Sequence, residues 1–341
     1  MSTQSAVERF WSWWAQEGRE RAQAALADEG DSTETEETAE AVEAHVSAMH
    51  PELEWELAPE ADGRSVLVVT AAGYPEAWPV ARAWLHAASD DPGWTYLDLR
   101  PPTPHANEAV IEHDGRDVEL GQAVVTARRR ATMVDVAVHH PVFADLDEQE
   151  RAMLAYLMLD MFLGEEQSEM WLGEVSWPTM SPLDAFPMEH LPGVVADLAA
   201  SHEMPGGGLG WAGLEGSTAD GRPASAMVQV PLRQVTAPDL DTHCAVLVPV
   251  GDVNPDGTLG AAGIDALTSL EDRMADALGE HGRLVAHQTT PGERLFHFYL
   301  DGLDAAQSLS PVLEDWPDGR IEVEVTVDPG WGLVAHLNGS E

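Results

Sequence analysis

The sequence predicts a mixed α+β protein of two domains, and three observations lead to this fold class. Apolar runs with a period of two, typical of strands, alternate along the chain with apolar residues at helical spacing. Turn dipeptides such as Asp114-Gly115 and Pro291-Gly292 separate the strands. A glycine-rich stretch divides the chain of 341 residues. We therefore predict an N-terminal α+β domain over 1–203, a linker over 204–223 and a C-terminal domain over 224–341.

The N-terminal domain begins with a helix that carries Phe10 and three tryptophans. Their size favours docking against the core, and the alternative is an aromatic patch that faces a partner. The predicted elements that follow are a loop or helix ending near 49, strands at 53–57 and 65–71, a helix at 75–88, a strand at 94–99, a hairpin at 109–120, one or two strands within 122–138, a helix ended by Gly164, a strand at 171–177 and a helix at 189–201.

The helix that Gly164 ends begins at Asp145 or Asp147, either of which can cap it. Apolar side chains recur along this helix, and we expect them to face the core. They are Met153, Leu154, Leu157, Met161 and Phe162.

The C-terminal domain has elements whose order can be followed most clearly. Periodicity predicts a strand at 244–250, a helix from 264 to 278 that Gly282 stops, a hairpin of strands at 284–288 and 295–300, a helix that Asp301 caps, and a strand at 321–327. The order β-α-β-β-α-β is that of the ferredoxin-like fold, in which an antiparallel sheet carries both helices on one face.

The second strand of the hairpin has two unlike faces. Phe296, Phe298 and Leu300 alternate with residues that include His297 and Tyr299. The apolar face should be buried, and we expect the His/Tyr face to be able to meet water.

Short motifs in this domain resemble those of DUF695, a bacterial domain family of unknown function. They are Leu270-Glu271-Asp272-Arg273, Thr290 to Tyr299, and Asp328-Pro329-Gly330-Trp331. The resemblance covers about residues 215–335, and its outline is similar to the ferredoxin-like fold of the ribonuclease E inhibitor. It implies a fold and supplies no catalytic residues.

Composition limits the classes of partner. The chain has 60 acidic and 17 basic residues, and all of the basic ones are arginine. A net charge of −43 repels nucleic-acid phosphates and anionic membrane surfaces. A basic protein is the electrostatic complement, and a salt-adapted source is an alternative reason for the acidity. The dominance of Ala, Gly, Val and Leu points to a GC-rich bacterial genome.

The compartment is predicted from cysteine usage and hydropathy. Cys244 is the single cysteine and lies in an apolar run, which excludes an intramolecular disulfide and favours a small buried residue over a reactive thiol. Residues 1–10 lack the apolar core of a signal peptide, and no stretch approaches the ~20 apolar residues of a spanning helix. We predict a cytoplasmic protein.

Two motifs could bind a cofactor or metal. Gly208 to Gly213 matches G-x-G-x-x-G, but it lacks the flanking strand and helix, so a linker is favoured. Asp252, Asn254 and Asp256 match the first half of a calcium loop, but Gly263 stands where a bidentate Glu belongs, so a structural turn is favoured. The scattered histidines show no zinc-binding spacing. We predict no cofactor.

The candidate binding surface draws on three groups of residues. Arg128, Arg129 and Arg130 could neutralise carboxylates at a strand edge or dock an acidic group. Glu271 and Arg294 could form an ion pair between helix and hairpin or a shared ligand site. The remaining candidates are His297, Tyr299 and Trp331.

No hydrolase, P-loop or kinase motif is present. We therefore expect a non-catalytic protein-binding or regulatory module, in a narrower version an immunity protein that neutralises a basic toxin. The alternatives are a hydrolase or metal-dependent enzyme with a site between the two domains, and a salt-adapted structural protein.

Overall fold

A computed structural model describes residues 3–27, 33–59, 63–130, 132–204, 208–218 and 221–338. These residues form a mixed α+β protein with mainly antiparallel sheets, as the sequence predicts. Across the described ranges, no helix combines the length and apolarity needed to cross a bilayer.

The chain divides into two compact units. The first unit contains Met1–Pro104 and Leu159–Ser168, and the second contains His105–Met158 and Glu169–Glu341. This division differs from the predicted boundary at the glycine-rich stretch.

The first unit holds helices and a three-stranded sheet. Its elements are α1 (Thr3–Trp13), α2 (Arg19–Ala27), α3 (Thr33–Ser47), β1 (Glu54–Pro59), β2 (Ser65–Thr70), α4 (Trp78–His86) and β3 (Trp94–Leu97). The strand order is β1-β2-β3, with β1 antiparallel and β3 parallel to β2. Phe10 and Trp14 are buried, and Trp14 Nε1 donates to Tyr96 Oη at 2.8 Å. The predicted docking of the N-terminal aromatics against the core is confirmed.

The middle of the chain forms a hairpin, a four-stranded sheet and three helices. The elements are β4 (Val110–His113), β5 (Arg116–Glu119), β6 (Val124–Arg130), β7 (Met133–His139), α5 (Glu148–Leu163), α6 (Glu165–Trp171), β8 (Leu172–Ser176), β9 (Phe186–Pro187) and α7 (Leu191–Ala200). Asp114 and Gly115 both have positive φ, which confirms the predicted tight turn between β4 and β5. Gly164, with φ +77°, ends α5 as predicted.

A six-stranded antiparallel sheet dominates the rest of the second unit. Its strands are β10 (Gly210–Ser217), β11 (Pro223–Val230), β12 (Thr242–Pro249), β13 (Gly282–Thr290), β14 (Glu293–Leu300) and β15 (Glu322–Val327). They lie in the order β10-β11-β13-β14-β12-β15. The predicted linker thus contains a strand, and a Cβ at Gly210 would lie 2.1 Å from the carbonyl oxygen of His202. Close backbone approach explains the glycine at position 210.

One face of this sheet is covered by helices. α8 (Ala261–Leu278) and α9 (Ser310–Leu313), which follows a 3₁₀ segment at Leu303–Leu309, contribute to a single apolar core with the sheet. The predicted second helix is therefore mostly 3₁₀, and Gly279, not Gly282, caps α8. Cys244 is buried in this core, and burial raises its thiol pKa to about 11. The remaining strand residues of this core come from alternate positions: Val246, Val248, Phe296, Phe298 and Leu300.

Candidate functional site

The sheet face opposite α8 carries polar side chains that the structure buries. Strand alternation places His243 on β12 and both His297 and Tyr299 on β14 on this side. The chain then returns over them through Trp331 and a 3₁₀ segment at Gly332–Leu337. We call the following residues the histidine face: His243, Gln288, His297, Tyr299, Asp328 and Trp331.

A chain of hydrogen bonds links the imidazoles of the histidine face. His243 Nε2 lies 2.9 Å from His297 Nδ1, and the Gln288 amide nitrogen lies 2.9 Å from His297 Nε2. The same amide nitrogen lies 3.3 Å from Nε2 of the exposed His336. Because the amide donates to His297 Nε2, His297 carries its hydrogen on Nδ1 and donates to His243. Neutral imidazoles satisfy this arrangement.

The pKa shifts agree with neutral histidines. Burial, assisted by the neighbouring His243 and His336, lowers the pKa of His297 to about 3. Burial also lowers the pKa of His243, against the attraction of Asp328 and Glu324. The face therefore holds no charged imidazole near neutral pH.

Tyr299 anchors the returning segment. Its hydroxyl donates to Asp328 Oδ2 at 2.6 Å, and its ring stacks on Trp331 with centroids 4.2 Å apart. Asp328 also accepts hydrogen bonds from the amides of Gly332 and Leu333. Burial, with the adjacent Asp328 carboxylate, raises the pKa of Tyr299. The tyrosine thus stays a hydrogen-bond donor that ties the sheet to the C-terminal segment.

Trp331 and a half-buried arginine complete this packing. Trp331 Nε1 donates to the Leu240 carbonyl at 2.9 Å, and the Arg283 guanidinium lies 5.7 Å from the indole centroid. Arg283 also donates to the carbonyl and hydroxyl of Thr236, and burial lowers its pKa to about 10.

The structure brings three predicted site residues together but buries them. His297, Tyr299 and Trp331 are each less than 5% exposed. The expectation that the His/Tyr face meets water is therefore wrong, because the segment after Asp328 covers it. In this arrangement the face acts as a packing surface.

Glu271 and Arg294 lie on the α8 side of the sheet, away from the histidine face. Arg294 Nε donates to Thr289 Oγ1 at 2.9 Å, and its guanidinium lies 5.9 Å from the Phe296 ring centroid. Burial raises the pKa of Glu271, and Arg294 opposes that rise by attraction. Electrostatic attraction thus couples the two charged side chains.

The three consecutive arginines are exposed at the end of β6. Arg130 pairs with Asp135 at 2.9 Å and approaches Glu174 at 4.0 Å. Arg129 donates to Ser201 Oγ at 2.8 Å. Arg128 is exposed and lies opposite Asp135 in the β6–β7 register. Local partners thus engage two of the three.

The calcium-like loop is engaged in its own hydrogen bonds. Asp252 Oδ2 accepts from the Gly263 amide at the start of α8, and Asp256 Oδ1 accepts from Thr258. The Asn254 side-chain nitrogen donates to Thr258 and Leu259. These bonds give each of the three side chains a structural role, and cation binding by Asp252, Asn254 and Asp256 stays a prediction.

An exposed apolar surface lies on the outer side of α5. Met153, Tyr156 and Leu157 are 51%, 51% and 41% exposed, and their i, i+3, i+4 spacing places them on one side of the helix. The Tyr156 ring lies 6.0 Å from that of Trp177. The expectation that Met153 and Leu157 face the core is wrong, because Leu154 and Met158 occupy the buried side. We call Met153, Tyr156 and Leu157 the α5 outer face.

The sequence of α5 does not distinguish this surface from the buried side of the helix. A helix with one buried side needs a single apolar stripe. Here apolar residues surround the helix, so the pattern does not show which of them are buried. Acidic residues lie close by, since Asp147, Glu148 and Glu150 occupy the start of the helix.

Comparisons with protein-family models, curated proteins and solved structures find no match to this chain.

Proposed function

We propose that this chain is a non-catalytic protein-binding or regulatory module that docks its partner on the α5 outer face. The observation that carries the proposal is the exposure of three large apolar side chains on one side of a helix. Recognition of such a helix requires an apolar groove that accepts residues at i, i+3 and i+4. Exposed apolar clusters of this kind mark protein–protein contacts.

The partner is expected to surround its apolar groove with basic residues. The chain carries a net charge of −43, and the start of α5 is acidic. Complementary charge accelerates association and disfavours acidic competitors. A basic toxin neutralised by an acidic immunity protein fits this pattern, and we place the interaction in the cytoplasm.

The C-terminal region is proposed to be a ferredoxin-like domain related to DUF695. Support comes from the four strands β12 to β15. In the sheet they lie in the order β13-β14-β12-β15, which is the strand order of the ferredoxin-like split β-α-β motif. α8 and α9 contact the same apolar core. β10 and β11 extend the sheet beyond β13.

The experiment compares two variants with matched exposed apolar substitutions. The partner is isolated from the producing cell by affinity capture. The Kd of the purified pair is then measured at several salt concentrations. The double variant Met153→Ser with Leu157→Ser should weaken binding by roughly tenfold or more, because interface anchors are typically worth over 1 kcal/mol. Ile264→Ser, which changes a comparably exposed residue of α8, should leave the Kd unchanged.

Affinity should also fall as salt rises, because a basic partner is screened. Equal Kd values for wild type and the double variant would overturn the proposed docking surface. Catalytic turnover of a substrate by the purified chain would overturn the non-catalytic assignment.

A further inference from the structure

Three potential metal ligands meet where the β4–β5 hairpin approaches α5. His113 ends β4, Asp114 begins the hairpin turn, and Glu150 lies in the first turn of α5. One donor atom from each lies within 4.8 Å of the other two. These residues are distant in sequence from the calcium-like loop and from the histidine face.

The imidazole of His113 has a buried nitrogen, Nε2, that lacks a hydrogen bond among the described residues. The nearest carboxylate oxygen of Glu150 lies 3.7 Å away, which is too long for a hydrogen bond. Two donors that share one metal ion at about 2.1 Å each lie roughly 3.4 Å apart in tetrahedral geometry. The observed separation suits two ligands of one ion.

Glu150 is held so that only one of its oxygens points to His113. Its Oε2 accepts from the Asp147 amide at 2.8 Å, and Asp147 Oδ1 accepts from the Glu150 amide at 2.9 Å. This reciprocal capping box fixes the carboxylate and leaves Oε1 towards the imidazole. Hydrogen bonds that orient a ligand in this way are typical of metal sites.

The hairpin turn fixes the backbone that carries the third donor. Asp114 has φ +51° and Gly115 has φ +71°, so the backbone of the turn is set by the β4–β5 pairing. Asp114 is exposed, which leaves its carboxylate free to rotate towards the other two donors.

We propose that His113, Asp114 and Glu150 bind one divalent transition-metal ion. One imidazole nitrogen and two carboxylate oxygens suit an ion such as Zn²⁺ better than Ca²⁺ or Mg²⁺, which take oxygen ligands. Three protein ligands leave coordination positions for water. The ion joins the hairpin to the start of α5 and gives the unpaired nitrogen of His113 a partner.

The test measures Zn²⁺ binding to the full chain. After chelator treatment, calorimetry in about 150 mM salt separates a specific site from diffuse attraction to the acidic surface. We expect one ion per chain, and Co²⁺ should give the visible absorption of an ordered, low-symmetry site. His113→Ala and Asp114→Gly should each weaken Zn²⁺ binding by roughly tenfold or more. Glycine at 114 keeps the left-handed turn, so this variant should still fold.

Two controls distinguish the site from general acidity. Glu148→Gln removes a neighbouring carboxylate of the same helical turn, and His190→Ala removes an exposed histidine beside Glu189. Both should bind Zn²⁺ as the wild type does. Absence of a stoichiometric site would overturn the proposal. Equal Zn²⁺ affinity in the wild type, His113→Ala and Asp114→Gly would overturn it too, and would leave a His113–Glu150 ion pair as the reason for their proximity.

Discussion

The histidine face and the α5 outer face both carry large side chains, yet their surroundings are opposite. On the histidine face, Tyr299 and Trp331 stack, and Asp328 holds the covering segment by three hydrogen bonds. On the α5 outer face, Tyr156 contacts Trp177 and remains half exposed. Polar atoms with fixed partners stabilise the fold at the first site. Apolar atoms without cover can gain binding energy at the second.

The largest expected effect comes from the covering segment. Trp331→Ala removes a stacked, buried indole and should lower the free energy of unfolding by about 3–5 kcal/mol. Tyr156→Ala, an aromatic truncation on the α5 outer face, should change it much less. Denaturant unfolding of both variants measures the difference. Similar losses for the two would remove the contrast between the faces.

A smaller loss is expected when only the Tyr299 hydroxyl is removed. Tyr299→Phe keeps the ring stack but deprives Asp328 of one donor, which should cost about 1.5–3 kcal/mol. Tyr74→Phe, at an exposed tyrosine, is the matched control and should be nearly neutral. If the two variants unfold alike in urea, the Tyr299–Asp328 bond does not hold the segment.

Acid should loosen the histidine face in a defined direction. The pKa of His297 is about 3 in the folded chain, against about 6.5 when unfolded. Between these pH values only the unfolded chain binds the proton, so acid favours unfolding. The contribution of His297 to the free energy of unfolding is therefore complete above about pH 6.5 and is lost as pH falls. The slope is up to about 1.4 kcal/mol per pH unit.

The variant His297→Gln separates the contribution of this histidine to the pH dependence from that of the many carboxylates. Its unfolding free energy should fall less steeply than that of the wild type between about pH 6.5 and 5. His190→Gln changes an exposed histidine and should keep the wild-type slope. A slope unaffected by His297→Gln would mean that this imidazole is not buried as a neutral group.

The smallest effect on stability is expected on the α5 outer face. Met153→Ser with Leu157→Ser should change the free energy of unfolding by about 0.5 kcal/mol or less per site, because exposed substitutions break few contacts. Thermal melting checks this. A loss of several kcal/mol would show that these side chains support the core.

The contrast also explains which features the sequence could predict. The residue types alone predicted the Asp114-Gly115 turn and the end of α5 at Gly164. Both features need a left-handed backbone, which glycine adopts without strain. Period-two alternation separated Phe296 and Phe298 from His297 and Tyr299. These features depend on residues close together in the chain.

Exposure could not be predicted in the same way. Alternation shows that the two faces of β14 differ, but it does not show that Trp331 returns to cover His297 and Tyr299. For α5, apolar residues on every side give no stripe, so Met153 and Leu157 could not be assigned to core or surface. Both errors arise from contacts between distant segments, as does the approach of His113 to Glu150.

Hydroxyl-radical footprinting of the native chain tests this account most directly, because oxidation rates report side-chain exposure. We predict rapid oxidation of Met153 and Tyr156, slow oxidation of Tyr299 and Trp331, and protection of the first pair when the partner is bound. Rapid oxidation of Tyr299 and Trp331 together with protected Met153 and Tyr156 in the free chain would contradict it.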